Sequence, residues 1–223
     1  YQKLEGMPFG SNLVYKAIGI YRTQDDLDNN VNYNNAGLGE LIFADLNSDG
    51  VIDGNDRYRF DSNVFPNMQF GVTLGADYKG FDLTILFQGQ GGAKWRLDNS
   101  FNTSAGGNGL LYVAENSYTQ QRTNAELPRI RPTGIASENS DFWYQDVFWM
   151  RLRTMELGYS LPTGLLSNLR LSGLRAYVTG QNLFMVFNSL KKFGSGDPEF
   201  TNSGKGAQYP NMRTLGFGIN LTF

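Results

Sequence analysis

Met68-Gln69-Phe70-Gly71-Val72-Thr73-Leu74-Gly75-Ala76-Asp77-Tyr78-Lys79-Gly80-Phe81-Asp82-Leu83-Thr84-Ile85-Leu86-Phe87-Gln88 is the stretch on which the fold turns. Met68, Phe70, Val72, Leu74, Ala76 and Tyr78 alternate with Gln69, Gly71, Thr73, Gly75 and Asp77, the period of a strand whose two faces meet different surroundings. Lys79-Gly80 is a tight-turn dipeptide. Beyond it, Phe81, Leu83, Ile85 and Phe87 alternate with Asp82, Thr84, Leu86 and Gln88, so the stretch predicts a hairpin with a short turn and strands long enough to cross a membrane.

The same grammar recurs at the end of the chain, where Leu215, Phe217, Ile219, Leu221 and Phe223 alternate with Thr214, Gly216, Gly218, Asn220 and Thr222. Further strands are expected at about Asn12 to Tyr21, Val147 to Leu161 and Leu174 to Phe187. In the second of these the apolar phase changes from Phe148, Met150, Leu152 to Met155, Leu157, Tyr159, Leu161, which predicts a β-bulge near Arg153 or Thr154. If the last strand ends on one side of a membrane, strand alternation fixes the side of every connection. Lys79-Gly80 and Pro162 to Ser172 then lie on one side, and the long stretches 22–67, 92–146 and 188–211 all lie on the other. Short turns on the periplasmic side and long loops outside are the habit of outer-membrane barrels, and a soluble sandwich has no reason to sort its loops so.

The expected fold is therefore all-β, an antiparallel transmembrane β-barrel. Composition agrees: 27 glycines, 12 tyrosines and 16 phenylalanines suit a chain of strands, turns and aromatic girdles. The longest apolar runs, such as Leu183 to Phe187, are far below the about 20 residues of a transmembrane helix. The expected strands are fewer than the about eight of the smallest single-chain barrels, so either further strands lie within the loops or the missing wall lies upstream of Tyr1, where the sequence opens without a leader as a piece of something larger would.

Other chemistry is constrained by what is missing. With no cysteine there are no disulfides or thiolate sites, and with no histidine the commonest general base and metal ligand are gone. A net charge of −2 offers no basic field for nucleic acid, so no nucleic-acid partner is expected. An acid pair such as Asp197 with Glu199 could in principle serve acid–base chemistry, but its Asp-Pro-Glu context suits the shaping of a loop, and no enzyme activity is expected.

One loop has explicit ligand spacing. Residues 45–56 place Asp45, Asn47, Asp49, Asp53 and Asp56 at positions 1, 3, 5, 9 and 12, with Gly50 at the sharp turn and the Val51 carbonyl at position 7. Crowded oxygens at this spacing predict Ca2+ in a structural role. Asp56 replaces the bidentate Glu of a standard EF-hand loop, as in dockerin-type loops, and the alternative is an Asp/Asn/Gly surface turn with solvated carboxylates.

The run Gly39-Glu40-Leu41-Ile42-Phe43-Ala44-Asp45-Leu46-Asn47-Ser48-Asp49-Gly50-Val51-Ile52-Asp53, followed by Asp56-Arg57, resembles the calcium-like loop of SusC/RagA-type TonB-linked outer-membrane proteins of Bacteroidota. Similar segments follow in the family's order: Pro66, the hairpin around Lys79-Gly80, Phe87-Gln88-Gly89, Phe148 to Pro162, Leu174 to Tyr177, Gly180 to Phe184, Asp197-Pro198-Glu199, Tyr209-Pro210 and Gly216 to Phe223. The family's tryptophan-led segment is replaced by one bearing Tyr118, while Ala125-Glu126-Leu127-Pro128-Arg129 is kept. The resemblance covers nearly all of residues 1–223 and implies the C-terminal part of a barrel of about 22 strands with a plugged lumen. It also implies a SusD-like surface lipoprotein over the barrel, outer-membrane lipid around it, a glycan or peptide as cargo, and energy from TonB acting on an N-terminal plug that these residues do not contain. Phe217, Ile219, Leu221 and Phe223 are similar to the terminal signal read by barrel-assembly machinery.

Two function classes follow. A transporter component predicts lipid-facing aromatics, with Phe70, Phe81, Phe87, Phe217 and Phe223 as candidates. A soluble, calcium-stabilised dockerin-like binding module predicts instead a dry core on one strand face and a second copy of the loop, of which the sequence has one. Trp95, Trp143 and Tyr144, in or beside a long outer loop, are the candidates for stacking on sugar rings, against a reading as membrane-interface anchors.

Overall fold

The computed structural model describes residue 6 and residues 10–97, 110–130, 135, 138–166, 171–193, 197–199 and 211–223. In chain order the elements are β1 (Asn12–Tyr15), β2 (Ala17–Ile20), α1 (Gln24–Asn29), β3 (Leu41–Phe43), β4 (Arg57–Phe60), β5 (Met68–Tyr78), β6 (Phe81–Arg96), α2 (Leu111–Asn116), β7 (Tyr144–Ser160), α3 (Thr163–Leu166), β8 (Gly173–Asn188) and β9 (Thr214–Thr222). No helix among the described residues is long and apolar enough to cross a membrane.

Strands β5 to β9 form one antiparallel meander in the order β5-β6-β7-β8-β9. Its first hairpin has the expected register, with Tyr78 opposite Phe81 across the Lys79-Gly80 turn. Both turn residues have positive φ, 48° and 88°, which is the type I′ geometry whose twist matches that of the flanking strands. Gly80 is required twice over, because a Cβ there would sit 2.9 Å from the Ser160 carbonyl oxygen.

The quoted stretch explains why this sheet is not half of a sandwich. From Met68 to Gln88 not one residue is buried. One face carries Val72, Leu74, Phe81, Leu157, Val178 and Phe217, all substantially exposed, with Phe217 89% accessible. The other carries Thr73, Asp82, Thr84, Glu156 and Thr179, which the register places in the opposite phase. An apolar face left open while the polar face is charged suits a wall with lipid on one side and water on the other. Phe70 and Phe87 lie on the strands as expected, at intermediate exposure, and Leu215, Phe217, Ile219, Leu221 and Phe223 form an exposed apolar row ending the chain.

The predicted bulge falls on Arg153. Leu86 pairs with Thr154 and Phe87 with Leu152, leaving Arg153 without a partner in β6, and the β7–β8 register shifts at the same place. Above it the strands run on: β6, β7 and β8 have 16, 17 and 16 residues, against about 9–11 for a tilted crossing. The excess lies at the long-loop end. There Ala93, Trp95, Leu97, Val147 and Trp149 form a buried core with Val113, Leu127, Trp143, Leu190 and Phe193 from the loops.

The expected strand at Asn12 to Tyr21 is corrected by the structure: it is not part of the wall. It breaks at Lys16 into β1, which pairs with β4, and β2, which pairs with β3, in two separate two-stranded sheets. The reason is visible in its burial, since the adjacent residues Val14 and Tyr15 are both buried. A strand packed on both faces belongs inside a protein layer rather than at a lipid boundary. That layer has its own core, with Tyr15, Tyr21, Leu41 and Phe43 packed against Tyr118 and Ala125. Arg22 ties the two long connections together, its guanidinium donating to the carbonyls of Thr123 at 2.8 Å and Ala125 at 3.0 Å. The Lys79-Gly80 turn and the Ser160 and Gly173 ends of β7 and β8 lie at one end of the wall, and Arg96, Tyr144 and Asn188 lie at the other, beside Leu97, Trp143 and Leu190.

Candidate functional site

The acidic loop closes on itself. Asp45 accepts the N–H of Ser48 (2.7 Å) through one carboxylate oxygen and that of Gly50 (2.9 Å) through the other. Asn47 accepts from Asp49 N, Asp49 from Val51 N, and Asp53 from Asn55 N. These are Asx turns, each side chain standing in for a backbone carbonyl. Asp56 joins the two ends, accepting the N–H of Leu46 and of Asp53, both at 2.8 Å. It is fully buried. Burial raises the Asp56 carboxyl, but the N–H groups of Asp53, Leu46 and Asn47 outweigh it and hold the group below its ordinary value.

Among the described residues no three acidic side chains converge as a cation site. Asp45, Asn47, Asp49, Asp53 and Asp56 are turned to the loop's own N–H groups, and Val51 is exposed. The calcium spacing read in the sequence is therefore present as spacing, while the side chains do not form a converged ligand set.

Two of the three proposed sugar-stacking residues are elsewhere than expected. Trp95 and Trp143 are buried with Trp149 in the core beneath the loops, where an indole ring has no face to offer a ligand. Tyr144 is half-buried at the start of β7, its ring 5.1 Å from that of Phe60. Spacing gave no warning, because a large aromatic beside a long loop reads alike whether the loop leaves it open or folds down over it.

What the sequence did not reveal is a charged clasp. Arg151, 4% exposed on the inner face just above the bulge, pairs with Asp197 and lies 3.1 Å from Glu199. Arg153 donates to Glu199 at 3.2 Å and to Asn182 at 2.9 Å. Asn211 donates to both acids, at 3.1 and 2.7 Å. Asp197 and Glu199 are thus held by arginines and an amide as a fastening for their loop, and do not form an acid–base pair. Asp197 borders a hollow of about 300 Å3 that Arg151, Phe184 and Arg213 also line. A second cluster lies near the short-turn end, where Arg175 of β8 binds Asp82 of β6 and, at 2.7 Å, Glu156 of β7.

An antiparallel wall apolar and open on one face, charged on the other, with loop segments packed into a layer at one end, has the character of a segment of a transmembrane β-barrel wall. Within that class the likeness is to SusC/RagA-like TonB-dependent receptors. Over 98% of its length the chain is 27% identical to TonB-dependent receptor P3 of Formosa agariphila, and over 93% it is 26% identical to receptor P26 of the same organism. TonB-dependent receptor SusC of Bacteroides thetaiotaomicron is 27% identical over 82% of the chain. The fold matches the RagAB peptide importer in its open-open state with a TM-score of 0.66 over 95% of the chain at 22% identity. A second RagAB peptide transporter structure matches at 0.64 over 96% at 24% identity. The chain spans about a fifth of these relatives, 22% of P3 and 18% of SusC. No family model matches it.

Proposed function

We propose that this chain forms part of the wall and outward loop layer of an outer-membrane TonB-dependent active transporter. Its cargo in this reading is a large nutrient, a glycan or a peptide, taken up together with a SusD-like surface lipoprotein. The observation that carries the proposal is the absence of any buried residue between Met68 and Gln88 in a hairpin whose large apolar residues fall mostly on one open face, because an extended apolar strand face of this kind suits contact with lipid. The named relatives, receptors and a peptide importer, support the transport role.

In this reading the clasp from Arg151 and Arg153 to Asp197 and Glu199 pins an outer loop to the inner face of the wall, and the layer containing β1 to β4 presents the surface on which a lipoprotein would sit. Energy would come through TonB and a plug that these residues do not contain. The acidic loop braces the layer through its own hydrogen bonds. Calcium held by Asp45, Asn47, Asp49, Asp53 and Asp56 with the Val51 carbonyl is the alternative proposal for what braces this loop. The test is purification of the native polypeptide from outer membranes in mild detergent. A chain several times heavier than 24.9 kDa with a stoichiometric lipoprotein supports the proposal, and a water-soluble monomer of about that mass overturns it.

A further inference from the structure

The apolar face is not uniform. Near the short-turn end the register sets Phe81 opposite Tyr159, Tyr159 opposite Ala176, and Ala176 opposite Ile219. One step further along, Leu157, Val178 and Phe217 form the next cross-strand row. Ala176 is the one small side chain among them. It leaves a groove of about 350 Å3 between the Phe81 and Tyr159 rings, 4.5 Å apart by centroids, on one side and Phe217 and Ile219 on the other. The Lys79-Gly80 turn adjoins it, since a Cβ on Gly80 would touch the Tyr159 ring at 3.2 Å. There Lys79 holds its ammonium 5.1 Å from the exposed Tyr78 ring. The nearby carboxylates of Asp82 and Glu156 are bound to Arg175 on the opposite face.

We infer that this groove holds an acyl chain of a phospholipid from the membrane leaflet at the short-turn end, with Lys79 pairing with the lipid phosphate. The inference rests on the wall facing lipid as proposed above. A bilayer supplies both halves of the ligand in the right order: the apolar groove lies on the open face near the strand ends, and the Lys79 ammonium stands in the turn beyond them, where a headgroup sits. A face of fully grown side chains would meet lipid as a smooth boundary. The gap above Ala176 instead gives one chain three walls.

The test uses the full-length receptor in vesicles of phosphatidylethanolamine and phosphatidylglycerol doped with a phosphatidylglycerol carrying a photoreactive group in its acyl chain. Peptide mapping compares the groove with Val72 and Leu74, which are lipid-facing but outside it. Labelling in excess at Tyr159, Val178 and Phe217, lost in Ala176→Phe and reduced in Lys79→Asn, is the expected result. A photoreactive diacylglycerol without phosphate should label the groove equally in wild type and Lys79→Asn. Equal labelling of groove and control positions, or an excess untouched by Ala176→Phe, overturns the groove and leaves the wall standing. Receptor–receptor adducts at Phe217 in place of lipid would give the face to a second copy and overturn it too. No labelling at either place would sink the wall reading itself.

Discussion

Arg175 on β8 reaches across β7 to Asp82 on β6, and it passes directly over Gly158. Strands two apart can be bridged in this way only where the strand between them has no side chain on that face. A Cβ at Gly158 would meet the Arg175 guanidinium carbon at 2.7 Å, so Gly158→Ala should push the flexible ends of the pair apart. Gly89 differs, because its Cβ would meet the backbone carbonyl of Trp149 at 2.5 Å, and backbone does not step aside. Gly89→Ala is expected to destabilise by about 1–3 kcal/mol and Gly158→Ala by less, as read from thermal unfolding of the full receptor in detergent. Equal effects would show that the inner-face ion pair is held as rigidly as the backbone.

The clasp gives a second prediction. Arg151 is buried, and removing both acids by Asp197→Ala with Glu199→Ala strands its charge at a cost of about 3–5 kcal/mol. Arg151→Leu should cost less, since the acids left behind are partly solvated and Glu199 keeps Arg153. Limited proteolysis between Phe193 and Asn211 should be fast in the double variant and slow in wild type. Unchanged cleavage would remove the clasp's role as a fastening.

Alkaline pH should loosen the loop layer. Burial pushes the phenols of Tyr33, Tyr58 and Tyr112 above the ordinary value of 10.0. Tyr58 donates to Asp141 at 2.8 Å and Tyr112 to Glu126 at 2.6 Å, which adds to the rise. Because the folded values are raised, their contribution is complete below pH 10 and is lost as pH climbs through the folded values. Their phenolate absorbance should therefore appear only as the layer opens. Tyr58→Phe, which removes one hydrogen bond worth about 1 kcal/mol, should lower stability near neutrality and flatten the alkaline loss.

The acidic loop separates its two readings by chelation. With the carboxylates bound to backbone N–H groups, EDTA and added Ca2+ should leave the melting temperature unchanged, whereas Asp56→Ala should lower it by freeing the N–H groups of Leu46 and Asp53. A rise in melting temperature with Ca2+ that is lost in Asp45→Ala would establish a cation site instead.

The wall was legible because alternation is a property of neighbours in sequence. Met68 to Gln88, the type I′ turn at Lys79-Gly80 and the terminal row to Phe223 each declare themselves locally, and the phase slip in β7 marked the bulge at Arg153. Asn12 to Tyr21 misled because Val14 and Tyr15 are buried together in a layer made by distant segments. The tryptophans misled for the same reason: Trp95 is buried in one cluster with Trp143, Leu190 and Phe193, and no spacing announces a loop folding down. Asp197 and Glu199 stood out as a pair. Their partners Arg151 and Arg153 lie on β7, distant in sequence, and a bond between a loop and a remote strand leaves no local mark.

The face bearing Val72 and Leu74 is expected to meet lipid, and the face bearing Thr73 and Gly75 to meet water. The direct test is a set of single-cysteine variants at residues 70–77 of a cysteine-free full-length receptor, each carrying a fluorescent label and exposed in turn to a lipid-soluble and a water-soluble quencher. Quenching that alternates residue by residue, lipid-soluble at Phe70, Val72, Leu74 and Ala76 and water-soluble at Gly71, Thr73, Gly75 and Asp77, is the predicted result. Quenching from water at every position, or protection of the apolar positions from both quenchers, would contradict it and return the sheet to a soluble, covered fold.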